Sequence, residues 1–210
     1  MLKNHKKTLI ITSVVTLLPM VAGIILWNRL PEMIATHFGI DNQPDGWSSK
    51  AFTVFGLPLI MFGLQIISAF ATQADPKNKN IKPKMLGLIL WIIPVISIVL
   101  MGVTYATALG KEVKMGTVTM ILLGIVFIVL GNYMPKYEQN YTIGIKLPWT
   151  LNDTENWNRT HRLSGKIFVA GGVLMCATAF IGNLLIHMII TGCMILIPVV
   201  YSYMLYKKKQ

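Results

Sequence analysis

Side chains that could do chemistry or recognition are concentrated between residues 140 and 165, in a chain that is otherwise largely apolar. Trp157 and His161 are four residues apart, a spacing that places two side chains on one face of a helix. Together they could form a recognition platform for a partner or a peptide. Arg159 and Arg162 lie on the same segment and could bind phosphate groups at a lipid surface.

Motifs of known enzymes are missing from the sequence. There is no His-Glu-x-x-His, no phosphate-binding glycine loop, no Gly-x-Ser-x-Gly and no pair of carboxylates within an apolar block. His37, Asp41 and Asp45 could be considered as metal ligands, but their spacing is a weak match and surface polar residues are the preferred interpretation. Cys176 and Cys193 lie within apolar blocks and are interpreted as small packing residues rather than as a disulfide or a metal-binding pair. The sequence therefore predicts a binding protein with no catalytic residue, no cofactor and no metal.

The composition places this chain in a membrane. Hydrophobic residues make up 54% of it and charged residues 13%, whereas soluble domains have about 25% charged residues. Six apolar blocks are long enough to cross a bilayer as helices. They lie near residues 8–27, 51–73, 85–109, 115–134, 166–182 and 188–206. The last two are nearly continuous and are divided at Gly182, Asn183 and His187, because a single helix of about 40 residues is too long for one crossing.

We therefore predict an all-α integral membrane protein with six transmembrane helices, which form a single polytopic domain over residues 1–210. Its N-terminal module, residues 1–73, has two helices and an outward loop over 28–50. A four-helix part over 85–210 carries a cytoplasmic loop over 135–165. Glycines in the fourth and fifth blocks predict close helix packing. They are Gly116, Gly124, Gly131, Gly171 and Gly172.

The positions of the basic residues predict the orientation, because short cytoplasmic loops carry an excess of lysine and arginine. Of 19 such residues, all but four lie in the N-terminus, the segments 74–84 and 135–166, or the C-terminus. Both termini are therefore predicted to be cytoplasmic in the cell membrane. The net charge of +11 is explained by this topology and by anionic lipids, so membrane lipids are expected partners and direct nucleic-acid binding is not.

The outward loop carries Pro44-Asp45-Gly46, a sequence typical of a turn. Trp27 and Trp47 are expected at the outer membrane interface, where amphipathic rings are enriched. The candidate binding residues of this loop are Pro31, His37, Asp45, Gly46 and Lys50.

The cytoplasmic segment predicts a short amphipathic helix over about 153–164, before the fifth crossing. Asn152 is the expected N-cap, with Glu155 completing a capping box. Trp157, Thr160, His161 and Ser164 would share adjoining turns of one face, with Arg159 and Arg162 elsewhere. Two interpretations remain open: a lid at the lipid interface anchored by Trp149 and Trp157, or a platform for a partner.

This segment resembles the hallmark of the SdpI family. The residues that carry the resemblance are Asn140, Gly144, Ile145, Lys146, Trp149, Thr150, Leu151, Trp157, Thr160, His161, Arg162 and Gly165. The outward segment, with Leu30-Pro31, His37-Phe38, Asp45-Gly46 and Lys50, resembles an N-terminal membrane module of unknown function found in many members. One departure is Lys146, which stands where arginine is common and keeps the charge without the planar fork.

The resemblance implies an immunity protein of Gram-positive bacteria that protects against a secreted, sporulation-delay-type peptide toxin by binding or blocking it. It further implies signalling, in which the toxin-engaged protein holds a cytoplasmic transcriptional autorepressor at the membrane. The motif positions then become candidate binding residues for toxin or partner. Two alternatives are a small membrane transporter or exporter of the peptide, and a pure membrane-bound regulator without a protective role.

Overall fold

The computed structural model describes residues 5–39 and 41–210. In this part of the chain, six helical segments are long and apolar enough to cross a membrane. They comprise α1 (Lys6–Ile25), α2 (Leu57–Ala74, extending a π-helical turn over Phe52–Gly56), α3 (Pro83–Ala108), α4 (Met115–Tyr133), α6 (Thr154–Thr178) and α7 (Leu184–Lys207). A four-residue helix, α5 (Pro148–Leu151), precedes α6. The prediction of six apolar spans is confirmed.

The break between the last two spans lies where the sequence placed it. Gly182 adopts a φ of +68°, which ends the preceding helical turn in a left-handed conformation. The side chain of Asn183 then accepts hydrogen bonds from the backbone N–H groups of Leu185 and Ile186, and so caps α7. His187 lies inside α7, within 3.0 Å of the Asn183 carbonyl.

The predicted short helix over 153–164 forms the first turns of α6, which continues without interruption to Thr178. Its N-cap is Asp153, whose carboxylate accepts from the N–H groups of Glu155 and Asn156 at 2.9 and 3.2 Å. The prediction of Asn152 as the cap is wrong by one residue, because Asn152 ends the preceding helix, α5.

The chain forms two compact units. The first contains the described residues up to Ala71 together with Leu86–Thr119, and the second contains Thr72–Met85 and Met120–Gln210. Helix α3 thus falls largely in the first unit. The sequence-based division, by contrast, placed residues 85–210, and with them most of α3, in the second module. That division into modules remains a prediction.

The first unit also contains a β-hairpin, which the prediction of an all-α protein did not include. Strands β1 (Met33–Phe38) and β2 (Pro44–Ser49) pair in antiparallel register. The predicted turn at Pro44-Asp45-Gly46 is wrong, because these residues belong to β2. The chain reverses instead between the two strands, where Gly39 N–H donates to the Gln43 carbonyl and Asn42 adopts a φ of +60°.

Apolar packing and a few polar contacts hold the first unit together. Leu30, Ile34, Val54, Met101 and Tyr105 form its buried apolar cluster. Gln65, on α2, lies between two threonines of α1: its amide donates to Thr12 Oγ1 at 2.7 Å, and its carbonyl oxygen contacts Thr16. Ser97 of α3 donates to the Thr16 carbonyl. These buried polar groups therefore satisfy one another across three helices.

Within the second unit, the part of α4 after Thr119 crosses α6 with glycine against glycine. A Cβ added to Gly131 would lie 2.8 Å from the Gly165 carbonyl oxygen, and one added to Gly124 would lie 2.7 Å from the Gly172 carbonyl oxygen. Close packing at these glycines is therefore confirmed. Gly116 instead packs against Asn42 of the hairpin turn, within the first unit.

Candidate functional site

The first part of the signature is a turn organised by the buried side chain of Asn140. Its side-chain oxygen accepts from the N–H groups of Thr142 and Ile143 at 2.9 and 2.7 Å, and its amide donates to the Glu138 carbonyl at 2.8 Å. This local bonding lets a polar side chain be buried without loss of hydrogen bonds. Gly144 follows with a φ of +109°, a conformation that disfavours residues with a Cβ.

His161 connects this turn to α6. Its Nε2 accepts a hydrogen bond from Ile145 N–H at 2.9 Å, and its Nδ1 lies 2.8 Å from the Trp157 carbonyl oxygen. Both bonds form when the imidazole is neutral and carries its proton on Nδ1. The ring stacks on Trp157 with centroids 4.0 Å apart. Trp157 is fully buried and donates from Nε1 to the Tyr137 carbonyl at 2.7 Å.

The buried face of α6 is the one expected from spacing. Trp157, Thr160, His161 and Ser164 are buried, and Arg159 and Arg162 are exposed. Trp157 has no exposed surface and His161 is 1% exposed. The predicted role of Trp157 as an anchor in a lipid-interface lid is therefore wrong, and so is the prediction that Trp157 and His161 form a recognition platform. Gly165, one residue further along, is also buried, at the crossing with α4.

Thr150 closes the loop that leads into α5. Its hydroxyl oxygen accepts from Leu147 N–H at 2.9 Å and lies 2.8 Å from the Ile145 carbonyl oxygen, to which it donates. Gln139 approaches from the start of the segment, and its side-chain amide donates to the carbonyls of Thr150 and Leu151. The loop is therefore tied at both of its ends.

Trp149 packs against the end of α7. Its indole N–H donates to Ser202 Oγ at 2.9 Å, and its ring stacks on Tyr206 with centroids 5.9 Å apart. Asn156 reaches the same residue from α6, donating to the Ser202 carbonyl at 2.9 Å. Thr160 extends this connection by donating to Asn156 Oδ1. Ser202 thus joins the signature to the last helix.

Sequence reasoning missed Asp75, which holds the signature turn from the end of α2. One carboxylate oxygen accepts from Tyr141 N–H at 2.8 Å and from the Thr142 hydroxyl at 2.6 Å, and the other accepts from Lys77 N–H. Burial acts to raise the pKa of Asp75, but these hydrogen bonds outweigh it and hold the pKa below the usual value. No local motif indicated this role, because Asp75 is more than 60 residues from Tyr141.

Two further residues of the same loop reach the signature. The ammonium of Lys77 donates to Gln139 Oε1 at 2.7 Å, and the amide of Asn80 donates to the Gln139 carbonyl at 2.6 Å. Beside them, burial raises the pKa of Tyr137 to about 12. The segment 72–85 is therefore part of the site's framework.

Four of the signature candidates reach the surface. Lys146 and Arg162 are exposed, and Gly144 and Trp149 are half-buried. Trp149 borders an open cleft of about 300 Å³ whose other walls are Pro148, Asn152, Asp153, Tyr206, Lys209 and Gln210. The cleft offers aromatic surface and hydrogen-bonding groups together.

An ion-pair cluster lies at the edge of this cleft. The Lys209 ammonium lies 2.8 Å from Asp153 and 2.7 Å from Glu155. The hydrogen bond from Lys209 lowers the pKa of Asp153, and the two carboxylates raise the pKa of Lys209. The end of the chain is thereby held against the start of α6.

The candidates in the loop that was predicted to face outward lie in different surroundings. His37, Asp45 and Gly46 lie near the hairpin turn, where His37 Nδ1 is 2.5 Å from Asp45 Oδ1 and Gly46 pairs with His37. Pro31 is exposed ahead of β1. Within the described ranges, no three His, Cys, Asp or Glu side chains come together as a metal ion would require.

Lys50 is the buried member of that loop. Its ammonium donates to the Leu30 carbonyl at 3.2 Å and to Glu32 Oε1 at 2.7 Å, and it lies 5.0 Å from the centre of the Trp27 ring. It therefore joins the end of β2 to the segment that follows α1.

Fold and site together define a polytopic membrane protein with a polar signature folded among its helices. A model of the SdpI/YfhL protein family matches residues 136–202, and a model described as a domain of unknown function (DUF1648) matches residues 14–62. Over 203 residues the chain is 30% identical to Immunity protein SdpI of Bacillus subtilis (strain 168), covering 95% of this chain and 96% of that relative. The chain belongs to the SdpI/YfhL family, as its signature indicated. No solved structure matches it.

Proposed function

We propose that this chain is an immunity protein of the cell membrane that protects its cell by binding or blocking a secreted antimicrobial peptide. The observation that carries the proposal is 30% identity, over 95% of this chain, to a relative named as an immunity protein. Six apolar spans supply the membrane location. The site offers hydrogen-bonding and aromatic surface, which suits recognition without chemical conversion of the peptide.

The proposed orientation has both termini in the cytoplasm, the hairpin outside and the signature inside. This orientation is supported by the distribution of lysine and arginine along the sequence. Lys3, which is part of that distribution, lies outside the described residues. A reporter fused after Gln210 that is active only in the cytoplasm would agree with it. Activity of that reporter outside the cell would reverse the assignment of the two faces.

The proposed roles of the signature residues follow from their exposure. Buried members position the segment through hydrogen bonds and packing, and members at the surface meet a partner. The buried positioning group is Asn140, Thr150, Trp157, Thr160, His161 and Gly165. The half-buried Gly144 is assigned to the same group because it lies against His161. The contact group is Lys146, Trp149 and Arg162.

A signalling role is favoured by the cleft beside Trp149. In the proposed orientation this cleft faces the cytoplasm, where a soluble transcriptional repressor could insert a side chain against Trp149 and Tyr206. Aromatic pockets of this kind are common anchors at protein interfaces. A pure regulator would use this cleft without conferring protection.

Survival of a toxin-sensitive strain tests the main proposal. Cells that lack their own immunity protein would express this chain or an empty vector and be challenged with a purified sporulation-delay-type peptide. Survival at peptide concentrations that kill the vector control is expected. Death of both strains, with equal membrane abundance of the protein shown by immunoblot, would contradict immunity to this toxin class. Peptide efflux that collapses with the proton gradient would favour an exporter instead, since binding needs no gradient.

Substitution of Trp149 tests the signalling role. Trp149→Ala is expected to abolish toxin-dependent expression from the immunity promoter while survival is retained, and Trp149→Phe is expected to keep part of the response. Trp91→Ala is the matched control, because Trp91 is an exposed tryptophan on α3. An unchanged response in Trp149→Ala would remove the cleft from the signalling proposal.

A further inference from the structure

The β-hairpin has an open edge whose free backbone groups can be assigned from its register. Lys50 N–H donates to the Glu32 carbonyl, which makes this a hydrogen-bonded pair just beyond the strands. The pairing continues with Met33 opposite Ser49, Ile34 opposite Ser48 and Ala35 opposite Trp47. Since bonded and non-bonded pairs alternate in an antiparallel ladder, Ile34 bonds inward and the N–H and C=O groups of Met33 and Ala35 point to the outer edge of β1.

Nothing within the described first unit pairs with that edge. The strands are fully described, and the backbone hydrogen bonds of β1 stay within the hairpin. An edge of this kind is a template for a further strand, and proteins usually protect it with proline, charge or irregularity.

Protection of this kind is present elsewhere in the hairpin. β2 begins with Pro44, which has no N–H to donate, and contains Gly46. The half of β1 nearer the turn has register irregularities on either side of His37. The regular, unprotected stretch is therefore Met33 to Ala35.

Apolar side chains lie beside this stretch. Met33 is 55% exposed and Trp47 is 56% exposed. They belong to neighbouring pairs, Met33–Ser49 and Ala35–Trp47, and therefore lie on one face within diagonal reach. A strand added along β1 would find apolar surface as well as backbone partners.

The hairpin is also held firmly at both ends. Ile34 is 1% exposed and packs into the apolar cluster of the first unit, and Lys50 fixes the end of β2. At the turn, Asn42 Oδ1 accepts from Gly116 N–H at 2.7 Å, at the start of α4. An isolated two-stranded hairpin is only marginally stable. The contacts at its two ends therefore stabilise the hairpin and keep the edge of β1 ordered for a ligand.

We propose that the edge of β1 from Met33 to Ala35 binds an extended segment of the secreted peptide as a third β-strand, with apolar peptide side chains against Met33 and Trp47. Main-chain hydrogen bonds supply affinity in this mode, and the flanking side chains supply selectivity. The inference rests on the proposed immunity function and on an outward hairpin. It specifies where the peptide binds and in which conformation.

Amide hydrogen exchange tests it directly. The full-length chain, labelled with ¹⁵N at methionine and alanine and placed in lipid nanodiscs, would be observed by NMR with and without a purified sporulation-delay-type peptide. Exchange at the Met33 and Ala35 amides is expected to slow by about tenfold or more, because each N–H gains a hydrogen bond. Ala51, which lies beyond the strands, serves as the internal reference and should not change.

A matched pair of variants gives a second measurement. Ala35→Pro removes the outward N–H at a position that has no bond within the hairpin, and Ala35→Val retains it with a similar strand preference. Peptide affinity is expected to fall by about tenfold for the proline variant and to change little for the valine variant. If Ala35→Pro fails to fold, peptide N-methylated at alternate residues tests the same bonds from the other side, and is expected to lose affinity for the natural chain.

The outcomes separate this inference from the proposed function. Survival and peptide binding with unchanged exchange at Met33 and Ala35 would overturn strand addition and leave immunity standing. If the Met33 and Ala35 amides exchange slowly without peptide, and exchange slows further as protein concentration rises, the occupant of the edge is a second copy of this chain. That result would also overturn peptide binding by strand addition. Absence of both survival and binding would contradict the immunity function itself.

Discussion

Gly144 lies so close to the Nε2 edge of His161 that a side chain at residue 144 has no room. The backbone there has a φ of +109°, and the next N–H, that of Ile145, donates to the same nitrogen. The hydrogen bond from Ile145 and the close approach that glycine allows at residue 144 together fix the signature turn against α6.

The first prediction concerns Gly144→Ala. The variant should lower the free energy of unfolding by about 1–3 kcal/mol, because the added Cβ meets His161 and the left-handed backbone becomes strained. Thermal unfolding in detergent would measure this. Gly192→Ala is the control, since its Cβ meets nothing within 4 Å on α7. Equal stability of the two variants would contradict the assigned contact.

A second prediction concerns the crossing of α4 and α6. Gly172→Ala places a Cβ 2.5 Å from the Gly124 carbonyl oxygen and 2.9 Å from Ile128 N. Backbone on the facing helix cannot move aside as a side chain can, so the free energy of unfolding should fall by about 1–3 kcal/mol. Chemical denaturation in mixed micelles would measure the loss. Gly102→Ala on α3, where the added Cβ meets open space, should be unaffected or more stable.

The third prediction is a pH dependence that arises from Asp75. Hydrogen bonds hold its pKa in the folded protein below the usual aspartate value, so its stabilising contribution is complete above the unfolded pKa and is lost as pH falls through the folded pKa. Asp75→Asn should be less stable by about 1–3 kcal/mol at neutral pH. Its deficit should shrink below about pH 4.

Unfolding midpoints measured from pH 3 to 7 would test this dependence. Asp41→Asn, which changes an exposed carboxylate on the hairpin turn, is the matched control. A constant difference between Asp75→Asn and the natural chain across this range would contradict the role assigned to the ionised carboxylate.

The fourth prediction concerns Lys50→Met, which keeps the long side chain and removes the ammonium. The carbonyl of Leu30 would lose its donor in a buried position, so the first unit should be destabilised by about 1–3 kcal/mol. Limited proteolysis of the hairpin should become faster. The exposed Lys111 provides the control, Lys111→Met, and equally slow cleavage in both variants would show that the ammonium of Lys50 is dispensable.

The spans and the buried face of α6 could be predicted from sequence because they follow from regular periods. Hydropathy places the end of each apolar block near the end of a helix, and the spacing of Trp157, Thr160, His161 and Ser164 predicts a common face. Gly182 and Asn183 carry local signals for a helix end and a helix start. None of these features needs knowledge of distant parts of the chain.

The hairpin and the framework around the signature could not be predicted in the same way. Pro44-Asp45-Gly46 has the composition of a turn, but Asn42, which tolerates a positive φ and bonds to Gly116, determines where the chain reverses. Asp75 was missed because its partners are remote in sequence. Such long-range hydrogen bonds leave no periodic trace.

The hydrogen bonds of the 136–151 loop also constrain the order in which the protein can be assembled. Asp75 and Lys77 leave the ribosome before this loop does, whereas His161 and Ser202 follow it. During synthesis from the N-terminus, the loop can first meet its earlier partners and must wait for α6 and α7 to satisfy the rest. Completion of the signature is therefore among the last events of biogenesis, and a chain that stops before Ser202 would leave the Trp149 indole without its partner.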